Sequence, residues 1–305
     1  MCTPAARLPR KAGAHAGAPL HIPNRRFPLR IYAFADEASP AIDGQIAAMR
    51  RNGLNGLEIR GVDGENVSTI SLEKAKEVRR KLDDAGLCTW SIGSPIGKID
   101  IETGDFAAHL EQLRHTLEVA QVLGAKRLRM FSFYIPVGKD PADYRNRVID
   151  QVGEMLRVGE GSGVLFCHEN EKGIYGDIAS RCLDLHKAFP QMRGVFDPAN
   201  YVQCGQETWS AWEELNPYID YLHIKDALAD GSVVPAGKGL GNVKRILDAY
   251  RAQGGEDVTV EPHLQVFEGL KDLEQDGNTS HVGGYRYPSS DAAFDAACNA
   301  LKEFL

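Results

Sequence analysis

The sequence contains no Cys-x-x-Cys pair, and its six cysteines (Cys2, Cys88, Cys167, Cys182, Cys204, Cys298) show no disulfide-like spacing. That scatter excludes a stapled secreted scaffold and predicts ordinary buried thiols in a reducing cytoplasm. No apolar run approaches the roughly 20 residues of a membrane span. Positive charge is also scarce: 35 Lys and Arg against 42 Asp and Glu give a formal charge of −7. Residues 1–27 hold five of the bases (Arg7, Arg10, Lys11, Arg25, Arg26) and no acid, which leaves −12 for the remainder. A body so acidic is not built to coat nucleic acid or an anionic membrane. Residues 1–27 also lack the continuous apolar core of a signal peptide. They are expected to be a disordered extension or the product of an upstream start codon, with a transit peptide as the alternative. The fold is therefore sought in residues 28–305.

What the chain does have is 305 residues of ordinary globular composition, 43% apolar and 25% charged. That suits one large α/β barrel or two smaller domains. Short β-branched or apolar runs alternate with longer helical stretches, the pattern that builds parallel sheets. The predicted strands are Leu29–Phe34, Leu54–Ile59, Leu87–Ile92, Arg127–Phe131, Val164–Glu169, Gly194–Phe196, Tyr218–Ile224 and Asp257–Glu261. Predicted helices include Ser71–Ala85 with Ser71 as N-cap, Phe106–Leu123 stopped by Gly124, and Asp291–Phe304 after Ser289–Ser290. A doubly wound sheet would carry GxGxxG after an early strand, and none follows Phe34 or Ile59. Eight strand–helix units in one chain predict a single (β/α)8 TIM barrel.

Sites in such a barrel lie at the C-terminal ends of the strands. Four consecutive predicted strands end in Glu169, Asp197, His223 and Glu261, at separations of 28, 26 and 38 residues. Alternation along a strand puts Leu165, Cys167 and Glu169 on the inward face, turns His223 and Lys225 one way and Ile224 the other, and leaves His168 toward the helices. Three clustered carboxylates repel one another unless a cation joins them. Three oxygen donors with one imidazole suit a divalent ion, Mn²⁺ first, with Mg²⁺, Co²⁺ or Zn²⁺ as alternatives. Taken singly, each carboxylate could cap a helix and the histidine could be core. Their recurrence at four successive strand ends favours a metal centre.

The segments FCHEN, FDPANY, YLHIKD and VTVEPH, with GLEIRG at 56–61 and the GSPIGK turn at 93–98, resemble the xylose isomerase-like barrels. These group sugar phosphate isomerases and epimerases with type IV endonucleases. The resemblance spans residues 28–305. It implies that Glu169, Asp197, His223 and Glu261 are the metal ligands and that Glu169 and Glu261 act as catalytic acid and base. The implied reaction is isomerisation or epimerisation of a sugar or sugar phosphate through an enediolate. Lys225, Lys98, Asn200, Glu58, His263 and Lys238 are candidates to hold substrate, with Arg129 as a further cation.

The endonuclease branch needs a histidine-rich three-metal site. Here Glu58, Arg60, Ser94 and Asn200 occupy the corresponding strand ends, and Pro235-Ala236-Gly237-Lys238 replaces its Asp-x-His motif. A nucleic-acid partner is not expected. A metal-dependent lyase acting on a cyclic polyol ketone or ring acid is the runner-up, and a non-catalytic binding barrel is a third reading. Residues 237–241 could offer backbone N–H groups to an anion. Trp209 and Trp212, if exposed, would suit a homo-oligomer interface.

Overall fold

The computed structural model describes residues 28–265 and 284–305; the expected extension at 1–27 lies outside them. Eight parallel strands, β1 (Arg30–Ala33), β2 (Gly56–Ile59), β3 (Cys88–Ile92), β4 (Arg127–Met130), β5 (Leu165–Glu169), β6 (Arg193–Phe196), β7 (Ile219–Ile224) and β8 (Asp257–Val260), follow one another around a closed barrel. Strand β1 pairs with both β2 and β8, which closes the ring. The expected strands are all present, their ends displaced by at most two residues.

Nine α-helices lie among the described residues: α1 (Ile42–Asn52), α2 (Leu72–Ala85), α3 (Phe106–Leu123), α4 (Pro141–Val158), α5 (Ala179–Ala188), α6 (Pro198–Gln203), α7 (Thr208–Leu215), α8 (Val243–Ala252) and α9 (Ser290–Lys302). The Ser71 side chain accepts from the Lys74 N–H to start α2, and Ser289 accepts from the Ala292 N–H to start α9. Helix α3 ends at Gly124, whose φ of 76° is left-handed and open to glycine. Two small hairpins, Gly61–Val62 with Glu65–Asn66 and Asp226–Ala227 with Val233–Val234, were not evident in the sequence. Both are too short to leave a readable alternation.

The main core lies between barrel and helices, where Leu57, Ile92, Leu128, Phe196, Leu222 and Val258 meet the buried faces of the helices. Inside the barrel, Cys167, Val195 and Tyr221 pack with Trp90 and Leu165. Below them Trp90 stacks on Tyr32 at 4.4 Å and carries the Arg127 guanidinium at 3.9 Å. Arg127 pairs with Asp220, and Arg30 with Asp257 at 2.5 Å. Aromatic stacking and ion pairs thus fill the floor of the barrel. No helix among the described residues is long and apolar enough to cross a membrane.

Three histidines in the outer shell give the fold a definite acid response. His168 faces the helices, 3.0 Å from Ser132 Oγ; His186 stacks on Tyr218; His109 Nε2 accepts the Gly97 N–H at 2.7 Å. Burial lowers His109 and His186 to about 4 and His168 to about 3. The Nδ1 atoms of His168 and His186 have no partner to receive a new proton's charge. Unfolded histidine titrates near 6.5, so the native state binds fewer protons below that pH. The stabilisation is present in full above pH 6.5, declines progressively as pH falls below 6.5, and is gone once pH has fallen through 4 to 3. Urea denaturation at pH 7 and pH 4.5 is expected to show a drop on the order of 1–2 kcal/mol per histidine. An unchanged midpoint would mean that these rings protonate without cost.

Candidate metal centre

The inward ladders of β4 to β8 assemble the site. Arg129 stands beside Cys167 in register, Glu169 beside Val195, and His223 beside Thr259. One pleat further along, Glu169, Asp197, His223 and Glu261 each present a ligand atom within 4.8 Å of the others, all buried. His223 Nδ1 lies 2.8 Å from Glu169 Oε1, 3.4 Å from Glu261 Oε2 and 3.9 Å from Asp197 Oδ2. The edge-to-face contact of Phe34 with the imidazole, at 5.3 Å, fixes the ring's tilt.

Neighbouring amides position the acids. Asp197 Oδ1 accepts the Asn200 N–H and so caps α6. Asn170 Oδ1 accepts the Asp197 N–H while its Nδ2 donates to the Asp197 carbonyl, both at 2.9 Å. Asn200 Nδ2 donates to the Asn170 carbonyl at 2.9 Å and reaches Glu169 Oε1 at 3.4 Å. Asn200 therefore stands behind Glu169.

Four cations surround the acids. Lys225 Nζ sits 2.9 Å from Asp197 Oδ2 and 2.8 Å from Glu261 Oε2. Arg129 Nη1 lies 3.2 Å from Glu169 Oε2 and 3.9 Å from Glu261 Oε1. Arg60 holds Asp36 and Glu37 and approaches Glu261 Oε1 at 3.6 Å. Lys98 pairs with Glu171 at 3.0 Å over the Phe131 ring. Glu37 and Glu171 had not been singled out in the sequence. Glu37 ends a short 3-10 turn after β1 and Glu171 lies in the loop after β5, and acids just past strand ends are too common to stand out.

Other candidates fall elsewhere. Glu58 is fully buried beneath His223, with Oε2 3.1 Å from Nε2. His263 adopts a left-handed φ of 43° and donates its N–H to Glu37 Oε2 at 2.6 Å; its Nδ1 is 3.8 Å from Glu261. Lys238 is exposed on its loop. The N–H groups of Gly237, Gly239 and Gly241 point inward and donate to the Asp226 carboxylate at 2.7–3.0 Å. The anion those glycines hold is the chain's own. Trp212 is buried in the core rather than exposed, and Trp209 is half-buried, packed on the core under Arg245 at 3.6 Å.

The electrostatics favour a cation in the cluster. Burial, with Glu261 and Glu169 nearby, lifts Asp197 to about 7 despite Lys225. Glu261, although buried, is held well below the usual carboxylate range by Lys225. His223, although buried, is raised by Glu169 and Glu58. The resident positive charge does not satisfy all three acids, and Asp197 Oδ2 has no well-directed hydrogen bond. An oxygen-rich, imidazole-bearing cluster of this kind can hold a divalent metal ion. Glu37, Glu261 and His263 also come together, but there Arg60 already stands between the two carboxylates.

The sequence matches the xylose isomerase-like TIM barrel family over residues 46–273. The chain belongs to the xylose isomerase-like TIM barrel family. No curated protein matches it by sequence. Among solved structures it resembles the probable 3-DHS dehydratase AsbF of petrobactin synthesis from Bacillus anthracis (TM-score 0.67, 16% identity, 90% of this chain and 99% of that one). It also resembles D-psicose 3-epimerase with D-tagatose from Clostridium cellulolyticum H10 (0.66, 16%, 90% and 98%). A third likeness is a xylose isomerase-like TIM barrel protein from Mycobacterium smegmatis in complex with magnesium (0.64, 15%, 92% and 97%). At such identities the likeness shows a shared fold; the family itself spans epimerases and dehydratases.

Proposed function

We propose that this protein is a divalent-metal-dependent isomerase or epimerase of a sugar or sugar phosphate, with Mn²⁺ as the preferred ion. The observation that carries the reading is how Glu169 and Glu261 divide their oxygens. Glu169 Oε1 and Glu261 Oε2 face the His223 cluster, whereas Glu169 Oε2 and Glu261 Oε1 turn toward Arg129. Each glutamate thus keeps a second oxygen outside the ligand cluster, beside Arg129, from which it can exchange a proton with a bound substrate.

Glu169, Asp197, His223 and Glu261 would hold the ion. When bound, it polarises the substrate's carbonyl and makes the adjacent C–H acidic. One glutamate then removes the proton from carbon, leaving an enediolate. The other returns a proton, to the neighbouring carbon for isomerisation or to the opposite face for epimerisation. Arg129 and Lys225, buried and fully charged, stabilise the developing oxyanion.

The second reading is a dehydratase, in which the same carbanion expels hydroxide; the likeness to a 3-DHS dehydratase favours it. The test is turnover of ketoses, aldoses and cyclic polyols or ring acids with Mn²⁺ in D₂O, followed by NMR and mass spectrometry. An isomerase or epimerase keeps the substrate's composition and takes up deuterium next to the carbonyl. A product lighter by water selects the dehydratase, and no exchange with any compound argues for a binding barrel.

A further inference from the structure

The imidazole of His223 is gripped from both sides. Nδ1 faces the acidic cluster, while Nε2 lies 3.1 Å from Glu58 Oε2. Glu58 comes from β2, separated from β7 around the ring by β1 and β8, at the one irregularity of the β2–β3 pairing, where the register shifts between Leu57 and Glu58 and sets Glu58 against Ser91. Such shifts re-aim a side chain, here into the barrel. Glu58 is fully buried, and its other oxygen accepts the Tyr221 hydroxyl at 2.8 Å and the Ser91 hydroxyl at 3.4 Å. Ser91 and Tyr221 also touch each other at 3.3 Å, so the three groups brace one another.

We infer that Glu58 is a positioning residue that fixes the tautomer of His223, holding the proton on Nε2 and leaving the Nδ1 lone pair to face the metal. The inference rests on the proposed metal centre. A neutral imidazole carries one ring proton, and whichever nitrogen lacks it is the ligand. Glu58 is surrounded by donors, so it acts as an acceptor and requires a hydrogen on Nε2. A carboxylate on the far nitrogen also makes a ligating imidazole more basic and locks its plane. Tyr221, two residues before His223 on the same inward face of β7, orients Glu58 in turn.

The test uses the full chain stripped of metal and titrated with Mn²⁺ alone by calorimetry, for the parent, Glu58→Leu, Glu58→Gln and Tyr221→Phe. Glu58→Leu should bind Mn²⁺ roughly 10- to 100-fold more weakly, the usual cost of losing such a partner. Glu58→Gln keeps the shape and an acceptor oxygen and should lose less, as should Tyr221→Phe. It also keeps the test valid if the leucine variant does not fold. In the Zn²⁺-loaded parent, ¹⁵N NMR of the His223 ring should show a proton on Nε2 and none on Nδ1. A purely structural Glu58 would change the melting temperature but neither of these readouts. Parent-like Mn²⁺ affinity in both Glu58 variants would overturn the inference while leaving the metal centre intact; a protonated Nδ1 would overturn it and remove His223 from the ligands as well. A parent that binds no Mn²⁺ would sink both.

Discussion

Glu169→Gln and Glu261→Gln should each lose at least about 10²-fold in rate while retaining substantial bound Mn²⁺, the scale expected for removal of a general acid or base. Glutamine leaves a carbonyl oxygen in place of the one now 2.8 Å (Glu169) or 3.4 Å (Glu261) from His223 Nδ1, but it cannot accept a proton from carbon. The two variants should not behave alike in detail. Glu261 is paired to Lys225 at 2.8 Å, so its loss leaves that buried ammonium with Asp197 alone, at 2.9 Å. Glu169 is braced by Arg129 and Asn200, and its replacement disturbs a network rather than one ion pair. The measurement is single-turnover deuterium exchange at matched metal occupancy. A glutamine variant that turns over near the parent rate with metal bound would reduce that glutamate to a ligand and end the two-base mechanism. His223→Ala should act through metal affinity first, so excess Mn²⁺ should partly restore it.

For Asp197, metal content is the larger effect. Asp197→Asn should lower Mn²⁺ affinity by on the order of 10²-fold or more, beyond the cost of losing a partner outside the ligand set. Asparagine can still cap α6 through its side-chain oxygen, so the melting temperature of the metal-free protein should hold. Asp197→Ala loses both functions, and about 1 kcal/mol of stability should go with the cap. Elemental analysis after dialysis, with thermal denaturation in chelator, separates the two. Equal metal content in the parent and both variants would remove Asp197 from the site. Removing the negative charge also leaves Lys225 with Glu261 alone, so Asp197→Asn should not leave an unpaired buried cation.

Much of this was readable along the chain. Strand period is local, and it carried Glu169 and His223 to inward positions at the ends of β5 and β7, with Asp197 and Glu261 immediately after β6 and β8. Helix caps are equally local, and Ser71, Gly124 and Ser289 cap the helices as their residue types suggest. The roles of Arg60, Glu37 and Glu58 had no such signal. They depend on which loop or strand lies across the barrel, a property of closure rather than of any segment.

The sequence by itself determined an eightfold strand–helix alternation and a row of acids and one histidine at its later strand ends, because both follow from periodicity and from the repulsion among clustered carboxylates. Only the tertiary structure decided what each of those groups is tied to. Ring closure brings β2 across to β7, so Glu58 meets His223 over 165 residues of chain. It also sets Lys225 between Asp197 and Glu261, and folds Gly237, Gly239 and Gly241 around Asp226 instead of around a ligand. Each of these contacts satisfies a buried charge, and burial, which makes an unpaired charge so costly, exists only once the barrel has closed.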